Sequence, residues 1–183
     1  MKIGVIGVGI VGGATAEVLG RVHDIYLYDR YKEPHNSEKS LEELALNSES
    51  VFVCVPTPMK PSGEIDYSPI NNSVNQLLEA TEENKRNPEE LLVIIKSTAV
   101  SGTTDDLAEK YPFKFAFNPE FLREKHALED MKNTNRVVIG ANDEESIKKM
   151  LDIYRPLFPN ADYVITGRKT AEMIKYAANV MLA

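Results

Sequence analysis

A chain of 183 residues with 43% hydrophobic and 27% charged side chains has material for one sizeable α/β domain, with an extra element at most. The formal net charge of −7 without any Lys/Arg block argues against nucleic acid as a partner, and the single cysteine, Cys54, excludes an internal disulfide. No apolar run reaches the roughly 18 residues of a membrane span. The glycine-broken start MKIGVIGVGIVGG reads as a strand entering a turn and not as a signal peptide, so a cytoplasmic protein is the expectation.

The first apolar run, Ile3–Ile6, predicts a strand, and Gly7-x-Gly9-x-x-Gly12 then opens a helical pattern over Val11–Leu19. That glycine spacing permits a tight turn and close approach of the backbone to a pyrophosphate, to which the helix N-terminus adds partial positive charge. Gly7, Gly9, Ile10, Val11 and Gly12 are therefore candidate cofactor residues. A second strand, Ile25–Tyr28, ends at Asp29, about 20 residues on, where an acidic side chain accepts from a ribose hydroxyl. An acid there favours NAD over NADP, while the neighbouring Arg30 keeps NADP open.

Ser40–Leu46 carries a helical pattern, with Ser40 and Glu43 as a capping box. The near-continuous run Val51–Val55 predicts a central strand, buried on both faces, and enters Val55-Pro56-Thr57-Pro58. A polar loop over Thr57–Asp66 precedes the helix Ile70–Glu83, which Ser68-Pro69 starts. After a loop at Asn84–Pro88, the strand Leu91–Ile95 runs into Lys96-Ser97-Thr98, and Thr104–Lys110 is helical. The strand Phe113–Phe117 leads into Asn118-Pro119-Glu120-Phe121-Leu122-Arg123-Glu124. Arg136–Ile139 and Tyr163–Ile165 predict two more strands around a helix at Glu144–Tyr154. A final helical segment, Thr170–Ala183, ends without a stop signal and is expected to continue in a longer protein or to meet a partner.

Strands alternating with helices imply βαβ units, and hence a Rossmann-type doubly wound, mostly parallel sheet with helices on both faces. The expected division is a dinucleotide-binding domain over 1–167, followed by the start of a long central helix over 168–183. In such a sheet the exits of the strands converge on the ligand crevice. Val55, Pro56, Thr57, Ser97 and Thr98 would then face the cofactor. Lys175 and Asn179, four residues apart, share one helical face.

The phrases VPTP, KST, NPEFLRE, RVVIG and AEMIKYAAN together closely resemble the UDP-glucose/GDP-mannose dehydrogenase family over the whole chain, most of all its UDP-glucose-oxidising branch. The resemblance implies NAD as cofactor and a nucleotide sugar, foremost UDP-glucose, as substrate. A primary alcohol would be oxidised to a carboxylate in two hydride transfers, through a thioester on a cysteine. It further implies that Thr98 helps hold a catalytic water beside the nicotinamide, that Glu120 is the general base in thioester hydrolysis, and that Glu124 lies near the nicotinamide and that water. Glu120, Phe121, Leu122 and Arg123 would contact substrate. Lys175 and Asn179 would bind substrate and stabilise the oxyanion, which matches what a developing alkoxide requires.

The sequence also departs from that family. Its nucleophilic cysteine belongs to a glycine-rich segment beyond the central helix, so the chain alone is expected not to complete both oxidations. Cys54, inside VFVCV, reads as inert packing. A missing C-terminal half or a homodimer partner is the expected complement. The path from Asp29 to Val51 is short, Lys125 stands where relatives carry glycine, and Ala99-Val100-Ser101 lacks a proline. No metal is expected. Two alternatives stay open: a β-hydroxyacid dehydrogenase, which also places lysine and asparagine four apart, and a stand-alone binding module without catalysis.

Overall fold

In the computed structural model, which describes residues 1–182, every apolar run named above becomes a strand of one seven-stranded sheet. The strands are β1 (Lys2–Ile6), β2 (Asp24–Tyr28), β3 (Ser50–Val53), β4 (Leu92–Ile95), β5 (Lys114–Phe117), β6 (Arg136–Gly140) and β7 (Asp162–Thr166). The helices are α1 (Ile10–Leu19), α2 (Glu38–Asn47), α3 (Ser68–Glu83), α4 (Thr103–Lys110), α5 (Ala127–Lys132), α6 (Glu144–Tyr154) and α7 (Arg168–Leu182).

The spatial order is β2-β1-β3-β4-β5-β6-β7. The chain moves outward from β1 to β2, then crosses back to β3 on the other side of β1. That reversal makes the gap between β1 and β3 the switch point, where a ligand crevice opens at the strand exits. Strands β1 to β5 are parallel. The sixth strand runs antiparallel to β5, touching it at one register pair, Phe117 with Gly140, and β7 follows parallel to β6.

Because the central strands are buried on both sides, the sheet has two cores. Ile6, Val51, Val53, Val93, Ile95, Phe115 and Phe117 pack under residues of α2, α3, α4 and α7. Ile3, Val5, Phe52, Leu92, Ile94 and Ala116 pack under α1, α5 and α6. Ring pairs stiffen the second core, with Tyr154 edge-on to Phe52 at 6.3 Å between centroids.

Three local expectations are corrected. The cap of α2 is Ser37, whose Oγ accepts from Ser40 N at 3.1 Å; the helix begins at Glu38, so Ser40 already lies in its first turn. The third strand stops at Val53, which leaves Cys54 just beyond its end instead of within it. The short helix α5 was not expected. Six residues are too few to display a period, and α5 is specified by packing Ala127 and Met131 into the second core.

Candidate functional site

At the exit of β1, Gly7 turns the chain with φ +90°, and a side chain there would strike the Cys54 carbonyl. Gly12 permits closer contact still, since a Cβ would sit 1.8 Å from Gly7 O. Gly9 differs: its missing side chain points into open space, with no atom within 4 Å. No side chain caps α1, and its first intrahelical bond at this end runs from Gly13 N to Gly9 O. The N–H groups of Ile10, Val11 and Gly12 thus lie at an uncapped helix start facing an open approach. That arrangement fits an anionic diphosphate.

Asp29 is fixed at the same turn. Its Oδ2 accepts from Val8 N at 2.7 Å and its Oδ1 from Tyr31 N at 2.9 Å, and each oxygen keeps a lone pair for a ribose hydroxyl. Beside it a cavity of about 350 Å³ is lined by Gly7, Asp29, Arg30, Val55, Pro56 and Gln76, among others. Arg30 extends over the Tyr31 ring, its guanidinium carbon 5.7 Å from the centroid. Lys32, which spacing did not single out, donates to Val8 O at 2.9 Å and sets an ammonium against the glycine turn. Its signal was only a basic residue shortly after Asp29.

The exits of β3 and β4 are tied to one another. Ser97 Oγ donates to Val55 O at 2.6 Å and Thr57 Oγ1 to Thr98 O at 3.1 Å. Tyr67, at the start of α3, accepts from Val100 N through its hydroxyl at 2.9 Å. These bonds hold VPTP and KST side by side at the crevice, with Thr98 Oγ1 left free of them. Cys54 lies here too. Burial pushes its thiol up to about 12, outweighing the opposing pull of Lys96, so it stays protonated and un-nucleophilic.

The strongest cluster forms where β5 ends. Lys175 Nζ donates to Glu120 Oε1 and to Glu120 O, each at 2.7 Å, and Leu122 N donates to Glu120 Oε2 at 2.7 Å. Lys175 is buried, and its ammonium lies 5.8 Å from the Phe121 ring centroid. Two of its three N–H bonds are used, which leaves one for an incoming oxygen. Phe121, Leu122 and Arg123 line a cavity of about 500 Å³ together with Glu120. Arg123 is engaged on the outside by Asp130 at 2.7 Å, whose carboxyl this hydrogen-bonded partner draws down to about 2.

The last helix reaches this point because three contacts fix its start. Glu172, fully buried, accepts from Gly102 N (2.6 Å), Thr104 N (2.8 Å) and Thr104 Oγ1 (2.6 Å), and so caps α4. Arg168 pairs with Asp105 at 2.6 Å. Gly140 lets Ala171 pack where any Cβ would come within 2.5 Å of Ala171 Cβ. One turn beyond Glu172, Lys175 then faces Glu120. Asn179, one turn further, is exposed and makes no hydrogen bond among the described residues, so the expected pair is joined only halfway. Glu124 is likewise apart: it is exposed, in a single helical turn over Glu124–His126, and shares a separate depression with Ile10.

Sequence reasoning also missed Lys96, Asn118 and Tyr154. Lys96 Nζ and Tyr154 Oη both donate to Asn118 Oδ1, at 2.7 and 2.6 Å. Burial lowers the Lys96 ammonium to about 8, against a smaller opposite effect of Cys54 and Glu120. Among the described residues there is no metal-binding cluster and no helix long and apolar enough to cross a membrane.

A sequence model of the NAD-binding domain of the UDP-glucose/GDP-mannose dehydrogenase family matches residues 29–158. A UDP-glucose 6-dehydrogenase of Rickettsia bellii is 43% identical over 148 residues, 78% of this chain and 32% of that protein. Among solved structures, a UDP-glucose dehydrogenase of Pyrobaculum islandicum superposes with TM-score 0.84 at 30% identity, covering 99% of this chain and 49% of that one. A GDP-mannose dehydrogenase of Pseudomonas aeruginosa gives TM-score 0.84 at 26% identity, covering 100% and 50%. The chain spans about a third of the length of the curated relatives it matches.

Proposed function

The chain belongs to the UDP-glucose/GDP-mannose dehydrogenase family and carries its NAD-binding domain, and on that premise we propose that it is the cofactor half of a nucleotide-sugar 6-dehydrogenase, with UDP-glucose as substrate. The observation that carries the reading is that an uncapped glycine turn and the buried Glu120–Lys175 pair both lie at the carboxyl ends of the parallel strands. Gly7, Gly9, Ile10, Val11, Gly12, Asp29 and Arg30 hold the dinucleotide, with Val55, Pro56, Thr57, Ser97 and Thr98 along its length. When bound, NAD accepts hydride from the sugar alcohol.

Lys175 presents its free N–H to the oxygen that gains negative charge, with Glu120 next to it as base. Thr98 and Glu124 attend the cofactor end, Phe121, Leu122 and Arg123 the sugar nucleotide, and Asn179 joins Lys175 once substrate is present. The raised thiol of Cys54 argues against it as the nucleophile, and that group is assigned to a C-terminal half or a partner subunit. The apolar residues Met173, Tyr176, Val180 and Met181, exposed along α7, support such a docking face, on a helix that links residues 1–167 to the second half. The cytoplasm is the proposed location.

Calorimetric titration with NAD and NADP tests this reading. Micromolar to sub-millimolar binding of NAD, weaker for NADP and lost in Asp29→Ala, is expected. Binding of neither dinucleotide, or equal binding to the variant, would overturn it.

A further inference from the structure

We propose that Lys96 is a positioning residue: together with Tyr154 it pins Asn118, and through Asn118 it sets the place of Glu120 and hence of the Lys175 ammonium. The inference deepens the reading above and rests on it for its catalytic consequence.

The sheet holds this segment on its β4 side only. Ladder pairing between β5 and β6 is confined to Phe117 and Gly140, and the chain then leaves along the start of β6. Asn118 replaces the missing ladder with its side chain, donating from Nδ2 to Val138 O at 2.8 Å, while its N–H reaches Ile95 O at 2.9 Å. Its Oδ1 has two lone pairs, and Lys96 and Tyr154 take one each. All three side chains are buried. Both acceptor positions and one of the two Nδ2 donors are therefore engaged, which fixes the orientation of the amide.

Packing holds the segment on one side only, through buried Pro119 and through Leu122 on the second core. The 500 Å³ cavity runs along it, lined by Lys96, Asn118, Glu120, Phe121 and Tyr154. A loosened Asn118 would let the segment relax into that space. Glu120 follows two residues later and grips Lys175 with both its backbone carbonyl and its carboxylate, so a shift at Asn118 is carried directly to the ammonium. The groups facing Lys96 are Cys54 from the exit of β3, Glu120 from the exit of β5, Lys175 from α7 and Tyr154 from α6. A buried ammonium is a poor source of stability; what it provides here is a directed donor at the root of the site.

The test is nitrogen-15 NMR of the lysine ammonium groups in the full chain, comparing the unsubstituted protein with Lys96→Met and Tyr154→Phe. Buried Lys175 gives a slowly exchanging signal. Either substitution is expected to speed its hydrogen exchange roughly tenfold, about one hydrogen bond's worth of opening. The Lys175 shift should also follow a titration step near pH 8 that disappears in Lys96→Met. Unchanged Lys175 exchange in folded Tyr154→Phe overturns the inference, and that variant decides the matter if Lys96→Met does not fold. Failure to bind NAD counts against the functional reading instead, since the NMR experiment needs no cofactor.

Discussion

Burying Lys96 has a thermodynamic signature with a defined sign. Moving its ammonium from an ordinary 10.5 to about 8 corresponds to about 3 kcal/mol, at about 1.4 kcal/mol per tenfold change in the proton equilibrium. Below pH 8 both folded and unfolded chains carry the charge, and the folded state bears the whole penalty. Between pH 8 and 10.5 the folded state has released the proton while the unfolded state still binds it, so stability rises with pH. Cys54 acts in the opposite sense. Its thiol ionises near 9 when unfolded but only at about 12 when folded, so above pH 9 stability falls with pH. The two slopes oppose one another from pH 9 to 10.5, so the net gain from the pair, about 1 kcal/mol, falls mainly between pH 8 and 9. Urea unfolding of the unsubstituted chain, Lys96→Met and Cys54→Ala at half-unit intervals from pH 7.5 to 10.5 reads this directly. At pH 7.5 Lys96→Met should be more stable by about 2 kcal/mol, because relief of the buried charge exceeds one lost hydrogen bond. That advantage should shrink as pH rises, while in Cys54→Ala the gain continues to pH 10.5. A difference between Lys96→Met and the unsubstituted chain that is independent of pH would refute the reasoning.

Two glycines of one turn should behave oppositely. Gly12→Ala, with its Cβ 1.8 Å from Gly7 O, should lower unfolding free energy by about 2 kcal/mol or more, as overpacking against rigid backbone does; Gly9→Ala, facing open space at φ −78°, should melt within a few degrees of the unsubstituted chain yet bind NAD at least tenfold more weakly by calorimetry. Glu172→Gln keeps one acceptor oxygen for three donors, so chemical denaturation should register a loss of about 2 kcal/mol.

Which parts of this were legible in the sequence follows from how far apart the determining residues lie. The strands were legible because runs such as Val51–Val55 and Leu91–Ile95 declare burial on both faces locally, and the glycine turn because its chemistry is contained within six residues. Three of the family phrases, VPTP, KST and NPEFLRE, likewise lie at strand exits, where topology brings them together without further information. The choice between a nucleotide-sugar and a β-hydroxyacid dehydrogenase was not settled by the spacing of Lys175 and Asn179. The family match places the chain among the UDP-glucose/GDP-mannose dehydrogenases. What local pattern could not express is which of two residues on one helical face is covered. Lys175 is buried where Glu120, on the segment after β5, meets it, and Asn179 is exposed.

The placement of Lys175 is over-determined from both sides, and this explains why the missed residues matter most. From the helix side, Glu172 against α4, Arg168 against Asp105 and Ala171 against Gly140 fix the first turn of α7. From the sheet side, Lys96, Tyr154 and Asn118 fix the segment that carries Glu120. None of these partners is a neighbour in sequence: Lys96 and Asn118 are 22 residues apart, and Tyr154 and Asn118 are 36. A polar network of this kind leaves no periodic trace, because each member occupies a position that would otherwise read as strand end or amphipathic helix. Its cost is a buried charge, and its effect is that an ammonium with one free N–H is already in place before any ligand arrives. Preorganisation of that sort is where electrostatic stabilisation of a developing alkoxide originates.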